Sequence, residues 1–196
     1  MNSTAGDTRG STTGGARRIL GTLRAADGKG VVRVEDRFDT DPADLWSALT
    51  EPARLARWIG EVEGDLRLGG EFGARFFDGW EGTGRVEVCE VPGRLVLAIR
   101  DADAEPGDPS HHSHAGDASD NGEGTIEVRL TAEGEQTLLV WEERGMPLEH
   151  VAAYGAGIQV HVEELGAHLA GRERSEAGAQ WDQLLPAYQE MAARLT

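Results

Sequence analysis

The chain has 196 residues, 39% of them hydrophobic, and a formal charge of −16, enough for one domain with a real core plus flanking segments. That charge repels phosphate backbones and argues against nucleic acid and anionic membrane surfaces as partners, while the lone Cys89 excludes an internal disulfide. With no apolar run of membrane-spanning length and no signal-peptide core at the start, the expected location is the cytoplasm.

Residues 1–16 are small, polar and aperiodic, and are expected to form a disordered tail. A hairpin follows: Ile19, Gly21 and Leu23 alternate before a turn at Asp27-Gly28, and Val32, Val34 and Phe38 alternate after it. Asp41 is placed to cap a helix with Pro42 in its first position, and Asp44 stands where a capping box puts an acid. Leu45 and Leu49 share one face of that helix. Pro52 ends it and starts another, in which Leu55, Trp58 and Ile59 fall at i, i+3 and i+4. The period then changes to two, predicting strands over 64–77, 82–91, 94–101, 124–131 and 136–144. Between the third and fourth, residues 103–122 are acidic and rich in breakers, and are expected to be a mobile loop.

After Pro147 the period is helical again. Val151, Tyr154, Ile158, Val162, Leu165 and Leu169 form one apolar stripe, with Gln159 and glutamates opposite. Residues 172–196 read as a helical extension around Trp181, Leu185, Tyr188 and Met191, interrupted at Pro186. The class is α+β: a long helix must bury its stripe, and the large surface available to it is the antiparallel sheet.

The segments "DLWSALTEPARLARW" (44–58), "GDLRLGGEF" (64–72), "GTGRVEVCEVPGRL" (82–95) and "GIQVHVEELGAHLAG" (157–171) resemble, in order and spacing, the START-like (SRPBCC) superfamily. Within it they are most similar to homologues of the activator of the heat-shock protein 90 ATPase. The likeness covers roughly residues 17–171, with "WDQLLPAY" (181–188) recurring in the same branch. It implies a helix-grip fold: a curved antiparallel sheet wrapped around a long C-terminal helix, with two short helices after the first strands. Many relatives carry Gly-Trp where this chain has Gly157-Ile158. The superfamily commonly binds lipids, sterols or polyketides between sheet and helix, and some members are enzymes. For this branch the resemblance implies a pocket without naming its occupant.

The candidate binding residues are aromatic and apolar: Trp58, Phe72, Phe76, Trp80, Trp141, Tyr154 and Ile158. Such residues either fill a core or line a pocket with a few polar handles, and both readings stay open. Candidates for catalysis are few. Glu142 and Glu143 must point to opposite faces of their strand, and whichever points inward gains a raised pKa unless Arg75, Arg85 or Arg129 neutralises it. Of the pair, Glu142 is the candidate, alongside His161, a possible general base at the cavity mouth. His150, His161 and His168 lie along one edge of the long helix, but His161 and His168 stand roughly 10 Å apart, too far for one metal. His111, His112 and His114 with Asp117 match no established metal spacing. Cys89, among strand valines, is expected to be a buried inert thiol. Neither metal nor cofactor is implied, and "G-x-S-x-G" is absent.

The expected function is therefore binding of a small, largely apolar molecule. Its alternatives are acid–base catalysis on such a molecule, or a protein-interaction role as a chaperone partner. A carrier requires an apolar cavity with one or two anchors, an enzyme converging titratable groups, and an interaction module an exposed apolar patch.

Overall fold

Asp27 and Gly28 both take positive φ, 52° and 78°, the left-handed pair that a two-residue hairpin turn requires. They join β1 (Gly21–Ala26) to β2 (Lys29–Phe38), with Gly21 opposite Val34 and Ala26 opposite Lys29. Then come α1 (Pro42–Thr50), α2 (Pro52–Leu55), β3 (Gly60–Gly64), β4 (Glu71–Phe76), β5 (Glu81–Glu90), β6 (Arg94–Asp101), β7 (Glu123–Glu133) and β8 (Gln136–Met146). A 3-10 turn (Leu148–His150) leads into α3 (Val151–Leu169), and α4 (Ala177–Ala192) follows. The computed structural model describes residues 18–102, 123–175 and 177–195. The expected tail at 1–16 and loop at 103–122, with His111, His112, His114 and Asp117, lie outside them.

The eight strands form one antiparallel sheet in the order β1-β2-β8-β7-β6-β5-β4-β3. Its inner face packs against α3, and α1 and α2 follow the first hairpin; this is the helix-grip fold. Leu45, Leu49, Leu55, Trp58 and Ile59 are all buried in the same core as Val34, Val128, Leu139, Trp141 and Leu165. The Trp58 indole donates to the Ala48 carbonyl oxygen at 3.0 Å, which ties the turn after α2 back to α1. Cys89 is a half-buried free thiol packed on the edge of this core. Among the described residues no helix is long and apolar enough to cross a membrane.

Four local expectations are corrected. Residues 64–77 are not one strand. Gly64 (φ 126°) and Gly69 (φ 78°) turn the chain between β3 and β4, and β3 begins at Gly60, directly after the buried Ile59. Asp41 caps α1 as expected, accepting from the N–H groups of Ala43 and Asp44. The Asp44 carboxylate, however, does not close a capping box; it accepts from the Thr40 hydroxyl and the Arg54 guanidinium, both at 2.7 Å. Its pKa falls below the usual range, chiefly through the Arg54 hydrogen bond.

The third correction concerns the back of α3. Gln159 and Glu164, read as the polar face of the stripe, are fully enclosed at 0% and 2% exposure. The cover is α4, whose Leu184 and Tyr188 pack with Ala152, Ala156 and Val160 into a second core. Gln159 is satisfied there: its side-chain oxygen accepts from the Tyr188 hydroxyl (2.7 Å) and the Leu20 N–H (3.0 Å), and its amide donates to the Arg18 carbonyl oxygen. Glu164 accepts from Ser175 N–H and Gln180 Nε2. Fourth, α4 runs through Pro186 without interruption. Pro186 and Asp182, four residues earlier, both lie outside the buried face, so the hydrogen bond the proline cannot make is lost where solvent replaces it.

Candidate functional site

Between the inner face of the sheet and the α1–α2 segment lies an apolar cavity of about 70 Å³. Its walls include Trp58, Phe72 and Phe76, Val86, Ile126 and Trp141. Four of the seven expected binding residues thus border one space: Trp58, Phe72, Phe76 and Trp141. Ile158 does not; it is 4% exposed within the packed core of α3. Tyr154 and Trp80 also stand outside the lining, beside the polar end described below. A larger hollow, about 570 Å³, lies over β4–β6 and is walled by Glu63, Glu71, Arg85, Glu87 and Arg100. It is open to solvent and has no helix over it.

The polar end is built by strand alternation. On β8, Leu139, Trp141 and Glu143 face inward, with Glu143 opposite Val32 of β2 and Ile126 of β7. On β6, the series Leu95, Leu97, Ile99 carries on to Asp101 at the strand end. The turn between β4 and β5 brings Asp78 and Trp80, and α3 brings Tyr154 and His161. Trp80 stacks on Phe76 with ring centroids 4.7 Å apart, and its indole N–H donates to Asp101. The ring of His161 meets Phe76 edge-on at 5.6 Å, and its Nε2 lies 3.1 Å from an Asp78 carboxylate oxygen. Phe76 therefore belongs to both the cavity wall and the polar end.

Glu143 is the unusual member. It is 7% exposed, and among the described residues it forms no ion pair. Burial, reinforced by the negative charges of Asp101 and Asp78, pushes its pKa up to about 8. The Trp141 indole N–H lies near enough to favour the charged form somewhat, but it makes no hydrogen bond of normal geometry and is left buried without a partner. Burial also raises the Tyr154 hydroxyl, with Asp101 and Glu143 adding to it. Asp78 moves the other way: burial works to raise it, but the hydrogen bond and charge of His161 outweigh that and hold it below the usual range. One carboxyl of the cluster is thus neutral near pH 7 and another is charged, the divergence on which acid–base sites depend.

Glu142, the carboxylate singled out from the sequence, is corrected. It lies on the outer face, 3.1 Å from the Arg24 guanidinium and hydrogen-bonded by Arg144 at 2.6 Å. It stands directly across from Glu127 in the register. Burial would raise Glu127, but hydrogen bonding by Arg94 and the charges of Arg129, Arg94 and Arg144 hold it low. Arg144 contacts both carboxylates, so this face is a structural charge ladder. The arginines considered as partners for the inward glutamate go elsewhere: Arg75 to Glu81, Arg85 to Glu87 and Arg129 to Glu127.

His161 is half-buried between Phe76 and Asp78 and does not line the apolar cavity. His168 lies at the other end of α3 beside Arg54; burial, then the Arg54 and Arg57 charges, lower its pKa. Among the described residues no three His, Cys, Asp or Glu side chains are grouped to hold a metal ion. Sequence reasoning weighed Glu143 but chose Glu142 over it, and it passed over Asp101 and Asp78. Glu143 and Asp101 were within reach, since counting by twos from Trp141 and from Leu95 leads to them. Asp78 lies in a turn, and its contact with His161 spans 83 residues.

Residues 39–170 match the family model described as Activator of Hsp90 ATPase homolog 1-like protein. No curated protein matches the sequence. Among solved structures, the fold is similar to that of CalU16 from Micromonospora echinospora, at 23% identity and a TM-score of 0.66, covering 88% of this chain and 96% of that one. It is similar to DynU16, a protein of the dynemicin biosynthetic locus, at 24% identity and 0.61, covering 75% and 50%. It is also similar to the conserved protein of unknown function EF2215 from Enterococcus faecalis, at 20% and 0.63, covering 90% and 92%. These likenesses are ones of fold. With the model match spanning well over half of its length, the chain belongs to the Activator of Hsp90 ATPase homolog 1-like protein family.

Proposed function

We propose that this protein is a cytoplasmic binding protein for a small, largely apolar molecule held between the sheet and the helices. The observation that carries the reading is the apolar cavity bounded by Trp58, Phe72, Phe76 and Trp141, which gives way at Phe76 to a cluster of polar groups. An apolar body with one polar end suits that division of the interior. The place of DynU16 in the dynemicin biosynthetic locus accords with a small-molecule role. At about 70 Å³ the cavity is far below the 300–1,000 Å³ typical of ligand sites. Binding therefore includes displacement of lining side chains, and the half-buried Leu66 and Phe76 at the margin are the ones free to move first. Among the described residues the large exposed apolar side chains, Leu68, Phe77 and Val91, sit on three different turns, and Phe77 is covered by the Arg174 guanidinium at 3.7 Å. That scatter favours a ligand over a protein-docking face.

Nile red, an uncharged apolar dye, tests the proposal. Saturable one-to-one binding that quenches tryptophan emission is expected. Ala74→Leu adds three heavy atoms into the cavity and should abolish binding while the protein stays folded. Unsaturable binding, or binding that Ala74→Leu leaves intact, overturns the reading.

A second reading, acid–base chemistry on the bound molecule, is favoured by Glu143, whose pKa of about 8 suits proton transfer near neutrality. On that reading any turnover is lost in Glu143→Gln and kept in Glu142→Gln.

A further inference from the structure

One buried polar group inside the protein lacks a partner of normal geometry, and its neighbour on the strand is a buried acid. Trp141 and Glu143 are two residues apart on β8, so both face inward. The Trp141 Nε1 is buried and makes no hydrogen bond of normal geometry, and Glu143 beside it is 7% exposed. Buried polar groups in folded proteins are nearly all satisfied, so this indole N–H, on a residue that lines the cavity, marks a place for an acceptor supplied from outside. Resting on the pocket reading above, we infer that the ligand carries a neutral oxygen acceptor, a ketone or quinone carbonyl, gripped by the Trp141 indole N–H and the Glu143 carboxyl while its apolar body lies among Phe72, Phe76, Ile126 and Val128.

The surroundings select that chemistry. Facing Glu143 are Asp101 from β6, Asp78 from the β4–β5 turn with His161 of α3 bonded to it, and Tyr154 from α3; β2 and β7 contribute Val32 and Ile126. Asp101 and Asp78 repel an anion. The indole N–H can donate but not accept, so it opposes a cation at the same point. A hydrocarbon leaves the indole N–H unsatisfied. Because Glu143 stays protonated up to about pH 8, its carboxyl is a second donor through the neutral range, and two donors together suit one acceptor oxygen. Above that pH the carboxylate turns acceptor, takes the indole N–H for itself, and repels a carbonyl.

Three probes of one shape separate the possibilities: 1-indanone, indane and 2-aminoindane, titrated into the full chain at pH 6.5 and 9.5. The Trp141 indole N–H is followed by NMR, its signal assigned by its loss in Trp141→Phe. At pH 6.5, 1-indanone is expected to bind about tenfold more tightly than indane, as fits one buried hydrogen-bond set, and to move the Trp141 signal. At pH 9.5 the preference disappears. Glu143→Gln, which keeps an amide donor but cannot ionise, should retain the preference at both pH values; Trp141→Phe should reduce it. Equal affinity for indanone and indane overturns the inference while leaving the pocket standing. Preference for 2-aminoindane that strengthens with pH overturns it in favour of a cation site. Failure of all three to bind overturns the inference and the pocket reading together.

Discussion

Glu142 and Glu143 are consecutive, yet the backbone of β8 sends one carboxylate to the arginines of the outer face and the other into the interior beneath Tyr154. Period-two geometry alone separates them. The two therefore have opposite electrostatic situations: Glu142 is matched by cations, whereas Glu143 meets apolar neighbours and two further acids.

This difference predicts how stability varies with pH. An unfolded Glu143 titrates near the ordinary glutamate value of 4.5, and burial in the folded chain pushes it up to about 8. Between those values the native state holds a proton that the unfolded state has released, so stability falls as pH rises through that window and levels off above it. Each pKa unit corresponds to about 1.4 kcal/mol. Urea unfolding of Glu143→Gln should show a flatter profile from pH 5 to 8, and a gain over the parent of a few kcal/mol at pH 8. Parallel profiles for the two proteins would show that Glu143 is already ionised in the native state.

The glycines of α3 should respond in opposite ways. A Cβ on Gly155 would run into the Tyr188 ring and approach Leu23 Cδ2 to 3.1 Å, whereas a Cβ on Gly157 meets nothing within 4 Å. Gly157→Ala should stabilise by up to about 1 kcal/mol through helix propensity. Gly155→Ala should instead lose roughly 1–3 kcal/mol, because overpacking at the α3–α4 contact exceeds that gain. Thermal melts of both variants check the pair; equal shifts would mean that α4 yields freely.

Removing α4 should be severe. Tyr188→Phe takes one hydrogen bond from Gln159 and should cost about 1 kcal/mol. Gln159→Leu strands the Tyr188 hydroxyl and the Leu20 N–H together and should cost more, about 2–4 kcal/mol. A chain ending at Gly171 would expose Ala152, Ala156, Val160, Gln159 and Glu164, and should aggregate or unfold on mild heating. A well-folded truncated chain would show that residues 172–196 are a dispensable extension.

Ile158→Trp tests where the free space is. Ile158 is buried and does not border the cavity, so the larger ring should overpack and destabilise by about 1–3 kcal/mol. Dye binding per folded molecule should stay close to that of the parent. A stable Ile158→Trp that no longer binds dye would place the cavity under α3 instead.

Features set by contacts within a few residues were legible in the sequence. The Asp27-Gly28 turn, the Asp41 cap and the apolar stripe of α3 each follow from backbone sterics, an orphan N–H or a fixed period, and the structure contains all of them. What depends on which distant segment arrives next was settled by tertiary structure alone. Gln159 and Glu164 look like a solvated helix face until α4 folds over them, because a helical period records polarity and not its partner. Glu143 has its neutral carboxyl because the folded chain buries it and, secondarily, because β6 delivers Asp101 and the β4–β5 turn delivers Asp78 to the same side of β8. Desolvation and charge–charge repulsion depend on distance in space, and chain separation carries no record of that distance.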